Sequence, residues 1–195
     1  MLKAVLSPSV DEMIERAYAL LKEGSYEDVL EAFSDCLLLE PAEARAYYGR
    51  GMANFQLKKW KEAVFDFRKA LEFNPEDPET CVSLGMSLAM GDQIYESIET
   101  FETLLSKKPQ YVRGYIQLAQ LYYKLGVITK GHRQLDAALA SRPSPDERRT
   151  IGELKKEQLT LDKKRHYRPD FEALRLENRA NSSGFLKRIK ALFGF

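Results

Sequence analysis

The sequence predicts an all-α solenoid built from repeated pairs of helices. Three observations carry that expectation. Pro41, Pro75, Pro109 and Pro143 recur at a step of 34 residues. Rows of like residues recur at the same step: Phe33, Phe67, Phe101 and Leu135; Leu37, Leu71, Leu105 and Leu139; and the small Ala17, Gly51, Gly85 and Ala119. Between the prolines, apolar residues follow helical spacing.

Residues 1–9 read as an N-terminal arm, followed by units at 10–43, 44–77, 78–111 and 112–143. Each unit holds a first helix, A, and a second, B. In the second unit these are expected over 43–57 and 60–73, with Tyr47, Tyr48, Gly51 and Phe55 on A and Ala63, Phe67, Ala70 and Leu71 on B. Proline closes each unit because it cannot continue a helix and biases its predecessor away from αR. Gly24, Gly91 and Gly126 fall at A–B turns, where a left-handed residue is expected; the second unit has "LKKW" there instead. Small Gly51 allows close helix approach, and Trp60 and Phe67 fill the space between. Beyond Pro143, Ile151, Leu154 and Leu161 keep helical spacing in a further helix within 144–168, with Asp146 as N-cap. Residues 169–195 read as a short helix over 170–179, a flexible "NSSG" joint and an amphipathic tail over 185–195.

These rows resemble the tetratricopeptide-repeat (TPR) family over residues 10–143, four units in phase. The resemblance implies a right-handed superhelix with A helices lining a concave face and a capping helix at 144–168. Departures fall at Asn54, where the family has an apolar residue, at Val29 and Leu104, and at Arg16 and Arg50 in a leucine row. A buried Asn54 needs hydrogen-bond partners.

Composition excludes several classes. A chain of 195 residues, 44% hydrophobic and 30% charged, can bury a core and is not globally disordered. The net charge of +1 hides an acidic body, 17 basic against 21 acidic residues over 1–143, and a basic end, 13 against 8 over 144–195. Cys36 and Cys81 sit in apolar patterns and read as reduced core residues of a cytoplasmic protein. The start lacks a secretory h-region, and no stretch approaches the ~20 apolar residues of a membrane span. No phosphate loop or metal-ligand pattern is present, so no enzymatic activity, cofactor or metal is expected. His132 reads as a packing residue and His166 as a solvated one. The runs at 155–156 and 163–168 are basic but lack interleaved aromatics, so nucleic acid is not an expected partner.

The resemblance places apolar A-helix rows on the inner face: Ile14, Tyr48, Val82 and Ile116; Tyr18, Met52, Met86 and Gln120; and Leu21, Phe55, Ala89 and Tyr123, with Met90 alongside. Methionine adapts to varied partners. The stripe reads as a groove for an apolar or amphipathic protein segment, or in part as interhelical core. A further row, Asp11, Arg45, Glu79 and Arg113, alternates in charge and can pair across the groove. Some family members hold acidic chaperone C-termini in a clamp of Lys and Asn. The corresponding positions are Ile14, Tyr18, Gly49, Glu79 and Ser83, or one unit on, Tyr48, Met52, Ser83, Arg113 and Gln117. Only Arg113 suits that role.

In the tail, Phe185, Leu186, Ile189, Leu192 and Phe193 share one helical arc, with Lys187, Arg188 and Lys190 outside it. A helix this short is marginal alone and should form on docking. The expected function is a non-enzymatic protein-interaction module, adaptor or chaperone-like, whose groove is plugged by its own tail or another copy's. The alternative is a scaffold attached to a membrane surface through residues 185–195.

Overall fold

The structure is a computed structural model that describes residues 8–164, with side chains over 8–161. The arm's first seven residues, His166, the expected helix over 170–179, the joint and the tail residues Phe185, Leu186, Ile189, Leu192 and Phe193 lie outside the described residues.

The described residues form nine helices: α1 (Val10–Glu23), α2 (Tyr26–Leu39), α3 (Ala44–Gln56), α4 (Trp60–Phe73), α5 (Pro78–Met90), α6 (Ile94–Lys107), α7 (Val112–Lys124), α8 (Ile128–Ala140) and α9 (Pro145–Lys164). Each packs on the next. The odd-numbered A helices also pack on one another, whereas among the described residues the backbones of α2 and α4, α4 and α6, and α6 and α8 stand apart, α4 and α6 being joined by the Arg68–Glu96 ion pair. The A row is therefore the tight, inner side of the curve, and the B helices splay along the outer side.

Local chemistry sets the helix ends. Ser9 opens α1 with a capping box: its hydroxyl accepts from the Glu12 amide, and the Glu12 carboxylate accepts from the Ser9 amide at 3.0 Å. Asp77 caps α5 with Pro78 in the first turn. The cap of α9 is Ser144, not Asp146. Its hydroxyl accepts from the Glu147 amide, the Glu147 carboxylate accepts from the Ser144 amide, and Pro145 opens the helix, which moves Asp146 inside the first turn. At the A–B turns, Gly24 and Gly126 take the left-handed conformation. Gly91 does not, with φ of −87°; the left-handed residue there is Asp92 at 62°. In the second unit Lys58 takes that role at 59°, which accounts for a turn without glycine.

The core repeats one kind of contact, within the unit for Phe67 on Gly51 and Phe101 on Gly85, and with the next unit for Phe33 on Gly49. Phe33, Phe67 and Phe101 are fully enclosed B-helix rings laid against backbone that carries no side chain. A Cβ on Gly85 would stand 2.5 Å from the Phe101 ring, and one on Gly49 would stand 2.2 Å from that of Phe33. Ala17 and Ala119, in the same row as Gly51 and Gly85, are completely buried. Cys36 is buried and Cys81 half-buried, and both are free thiols. Ile151 of α9 closes the last unit against Ile116, Leu135 and Ala138, as a terminal cap requires.

Gly85→Ala is expected to lower stability by about 1–3 kcal/mol, because the enclosed Phe101 ring cannot yield without moving α6. Combining it with Phe101→Leu should recover part of that loss. Urea denaturation monitored by helical ellipticity measures both.

Candidate functional site

The inner face divides into a sealed row and an accessible stripe. Ile14, Val82, Ile116 and Tyr123, expected in the groove, are buried and do not line it. The cause is the close approach of the A helices: residues pointing between neighbouring helices become core. Ile14 packs with Ala17 and Phe33, Val82 with Phe101 and Leu105, and Ile116 with Tyr123 and Leu135. Tyr123 turns toward α8, where its hydroxyl and His132 Nδ1 are 3.0 Å apart and its ring fills the space a Cβ on Gly131 would need. His132 is thus a packing residue with a hydroxyl partner. Among the described residues no group of three or more His, Cys, Asp or Glu could hold a metal.

The accessible stripe consists of Tyr18, Tyr48, Met52, Phe55 and Met86, all half-buried, and Met90, 53% exposed. The three aromatic members meet B-helix rings. Tyr18 meets Phe33 edge-on at 5.2 Å, Tyr48 tilts over Phe67 at 5.8 Å, and Phe55 meets Trp60 edge-on at 5.2 Å. The Tyr18 hydroxyl donates to the Arg45 carbonyl at 3.0 Å; burial, then the neighbouring Tyr48, push its pKa up to about 12. Tyr18 therefore stays a neutral donor. The Met52 sulfur and the Ser83 hydroxyl are 4.0 Å apart, linking α3 to α5. These side chains are fixed on one flank and open on the other, the arrangement that lets an apolar partner bury area without ordering many rotamers.

A charged rail borders the stripe. Asp11 pairs with Arg45 at 2.6 Å and Glu79 with Arg113 at 2.5 Å. The alternation closes as two couples. Glu43 also grips Arg45, whose hydrogen bonds hold the Glu43 carboxyl below its ordinary range. No single sign dominates, and exposed pairs of this kind contribute little to stability.

Sequence reasoning missed a buried polar cluster. Asp66 of α4, 2% exposed, accepts from Arg50 Nη2 at 2.7 Å and from Asn54 Nδ2 at 2.9 Å. Arg50 Nη1 donates to the Ser34 hydroxyl at 3.2 Å, which itself donates to the Leu30 carbonyl. The cluster joins α2, α3 and α4. Arg50 and Asn54 are both visible as departures from an apolar repeat; the sign of a shared partner was their spacing of one helical turn.

A stack of paired helices with a half-open aromatic and methionine stripe on its inner face defines a helical-repeat protein. A family model described as "Tetratricopeptide repeat" matches residues 44–77. The human protein named Tetratricopeptide repeat protein 13 is 30% identical over 118 residues, 60% of this chain and 14% of that protein. The peroxisomal targeting signal receptor of Kluyveromyces lactis is 28% identical over 136 residues, 69% of this chain and 23% of the receptor. Human mitochondrial import receptor subunit TOM70 is 28% identical over 135 residues, 58% of this chain and 22% of that subunit. The chain thus spans less than a quarter of the length of each of these relatives. Among solved structures, MamA from Desulfovibrio magneticus RS-1 superimposes with a TM-score of 0.65 at 18% identity, covering 71% of this chain and 78% of that one. A second MamA structure gives 0.64 at 22% identity, covering 68% and 78%. At such identities the likeness concerns the fold. Residues 44–77 thus match a tetratricopeptide repeat, and the described residues share the all-α solenoid fold of these neighbours.

Asp66→Ala should lower stability by about 2–4 kcal/mol, since it strands Arg50 and Asn54; the partial exposure of Arg50 keeps the loss below that of a fully enclosed pair. Transplanting the third unit's residues, as Arg50→Leu, Asn54→Leu and Asp66→Thr together, should restore most of it. Urea midpoints for the two variants check this.

Proposed function

We propose that this protein is a non-enzymatic interaction module, an adaptor or chaperone-like unit, whose concave stripe receives an apolar or amphipathic segment of a protein partner. Tyr48, Met52, Phe55 and Met86 are the central anchors, with Tyr18 and Met90 at the edges. The observation that carries the reading is the half-burial of the four anchors: Tyr48 and Phe55 are braced by B-helix rings, Met52 and Met86 pack against the core clusters beside them, and each keeps part of its surface open. Two relatives are named as receptors, a peroxisomal targeting signal receptor and a mitochondrial import receptor subunit. That supports the same class of role here. The free thiols Cys36 and Cys81 fit a reducing setting, the cytoplasm.

The tail over 185–195 is the proposed competitor for the groove, in the same chain or from another copy, because its apolar arc is of the kind the stripe accepts. The sequence of this tail, with Lys187, Arg188 and Lys190 beside the arc, also supports the second reading, attachment to an anionic membrane surface. Among the described residues no helix is long and apolar enough to cross a membrane.

A labelled peptide of residues 182–195 should bind the protein, and Tyr48→Ser with Met86→Ser should weaken that binding by about tenfold or more. Fluorescence anisotropy reads the affinity. The chain lacking 185–195 should bind the peptide more tightly than the full chain. Absence of binding, together with co-sedimentation of the full chain but not the shortened one with anionic vesicles, would favour membrane attachment instead.

A further inference from the structure

The outer face carries a vacancy at one point of the repeat. The position held by Tyr47 in the second unit and Tyr115 in the fourth is held by Cys81 in the third. Tyr47 shows what a ring does there. It projects from α3 toward the B helices and stacks on Phe73 of α4, centroids 5.8 Å apart and planes at 21°. The Arg50 guanidinium lies 5.6 Å from its centroid. Tyr115 is half-buried between the apolar clusters on either side of α7. Cys81 lacks the ring, and Leu84 stands where Arg50 stands in the second unit. The outcome is a cleft of about 460 Å3 between α4 and α6, with Cys81, Leu84, Leu71 and Leu104 among its lining residues. The α4 and α6 backbones stand apart there, joined by the Arg68–Glu96 ion pair.

The cleft also has charges to spare. Glu99 and Lys107 both line it from α6. Among the described residues neither is in an ion pair, whereas Glu96 is held by Arg68 and Lys108 donates to the Glu76 carbonyl. Eight residues of helix separate Glu99 from Lys107, about 12 Å along the axis.

We propose that this cleft is a second docking site, on the convex face, for a protein segment presenting one aromatic side chain between a basic and an acidic residue. The ring takes the place that Tyr47 and Tyr115 fill in the flanking units. The cation meets Glu99 and the carboxylate meets Lys107. An extended segment covers about 12 Å in three to four residues, so the two charges stand two positions to either side of the ring. The cleft lies on the opposite side of the solenoid from the methionine stripe, so the two sites succeed or fail separately.

The half-buried thiol in the cleft reports occupancy. The probes are acetyl-Lys-Ala-Tyr-Ala-Glu-amide and the peptide of reversed order, each with a control carrying alanine for tyrosine. Alkylation of Cys81 by iodoacetamide at alkaline pH, followed by mass spectrometry, is read against the fully buried Cys36 as internal reference. One of the tyrosine peptides should slow Cys81 alkylation saturably, about threefold at twice its Kd. Glu99→Ala or Lys107→Ala should weaken that protection by up to about fivefold. Cys81→Tyr should abolish anisotropy of the labelled peptide while helical ellipticity is retained. No protection by either order, equal protection by the alanine controls, or undiminished binding to Cys81→Tyr would overturn the proposal. If Cys81→Tyr fails to fold, the alkylation series on the unaltered chain decides. Faster Cys81 alkylation in the full chain carrying Phe185→Ala and Phe193→Ala, with no peptide added, would assign the cleft to the chain's own tail and overturn its assignment to a partner.

Discussion

The structure depends on phenyl rings lying where side chains would otherwise be. Phe33, Phe67 and Phe101 each occupy space at van der Waals contact with glycine backbone, and that contact sets how closely A and B helices approach. Once the A helices pack tightly along their own row, the B helices must splay, since each pair is wedged apart on the outer side by its own side chains. Curvature is therefore a packing result. The two surfaces with functional interest follow from it: an inner stripe squeezed until only its edges remain open, and outer clefts whose depth depends on what fills them.

Squeezing sorts the inner residues. Short or branched side chains such as Ile14, Val82 and Ile116 disappear between helices and become core. Longer ones, Tyr18, Tyr48, Met52, Phe55 and Met86, reach past the closure and keep one flank accessible. The same geometry rules out a strongly charged inner surface, because Asp11 with Arg45 and Glu79 with Arg113 neutralise one another across adjacent A helices. What remains is an apolar surface bordered by neutralised charge, and its methionines give it an adaptable shape.

The repeat was legible because a solenoid writes its contacts into a fixed step. Phe101 predicts Phe67, and Pro109 predicts Pro75. The limits of α4 were readable from Trp60 and the asparagine and proline after Phe73. Three things were not readable, each for a physical reason. The sealing of Val82 depends on the distance between A helices, which no single row encodes. The partner of Arg50 and Asn54, Asp66, lies on another helix in a row that otherwise holds Ala32, Thr100 and Gln134, so nothing in the period marks it. The left-handed turn residue in the third unit is Asp92 rather than Gly91, a shift of one position that an Asp tolerates through its short polar side chain. The vacancy at Cys81 is visible in sequence as a break in a tyrosine row, yet it reads as a cleft only once α4 and α6 are seen to stand apart.

The claim on which the functional account rests is that the open flank of the inner stripe receives an apolar helix or strand. Methyl resonances of the methionines test it directly, because Met52, Met86 and Met90 lie on the stripe while Met13 packs against the core of the first unit. On titration with the peptide of residues 182–195, the account predicts saturable shifts at Met52, Met86 and Met90 and an unmoved Met13. Binding that leaves all three stripe methyls unshifted would contradict it.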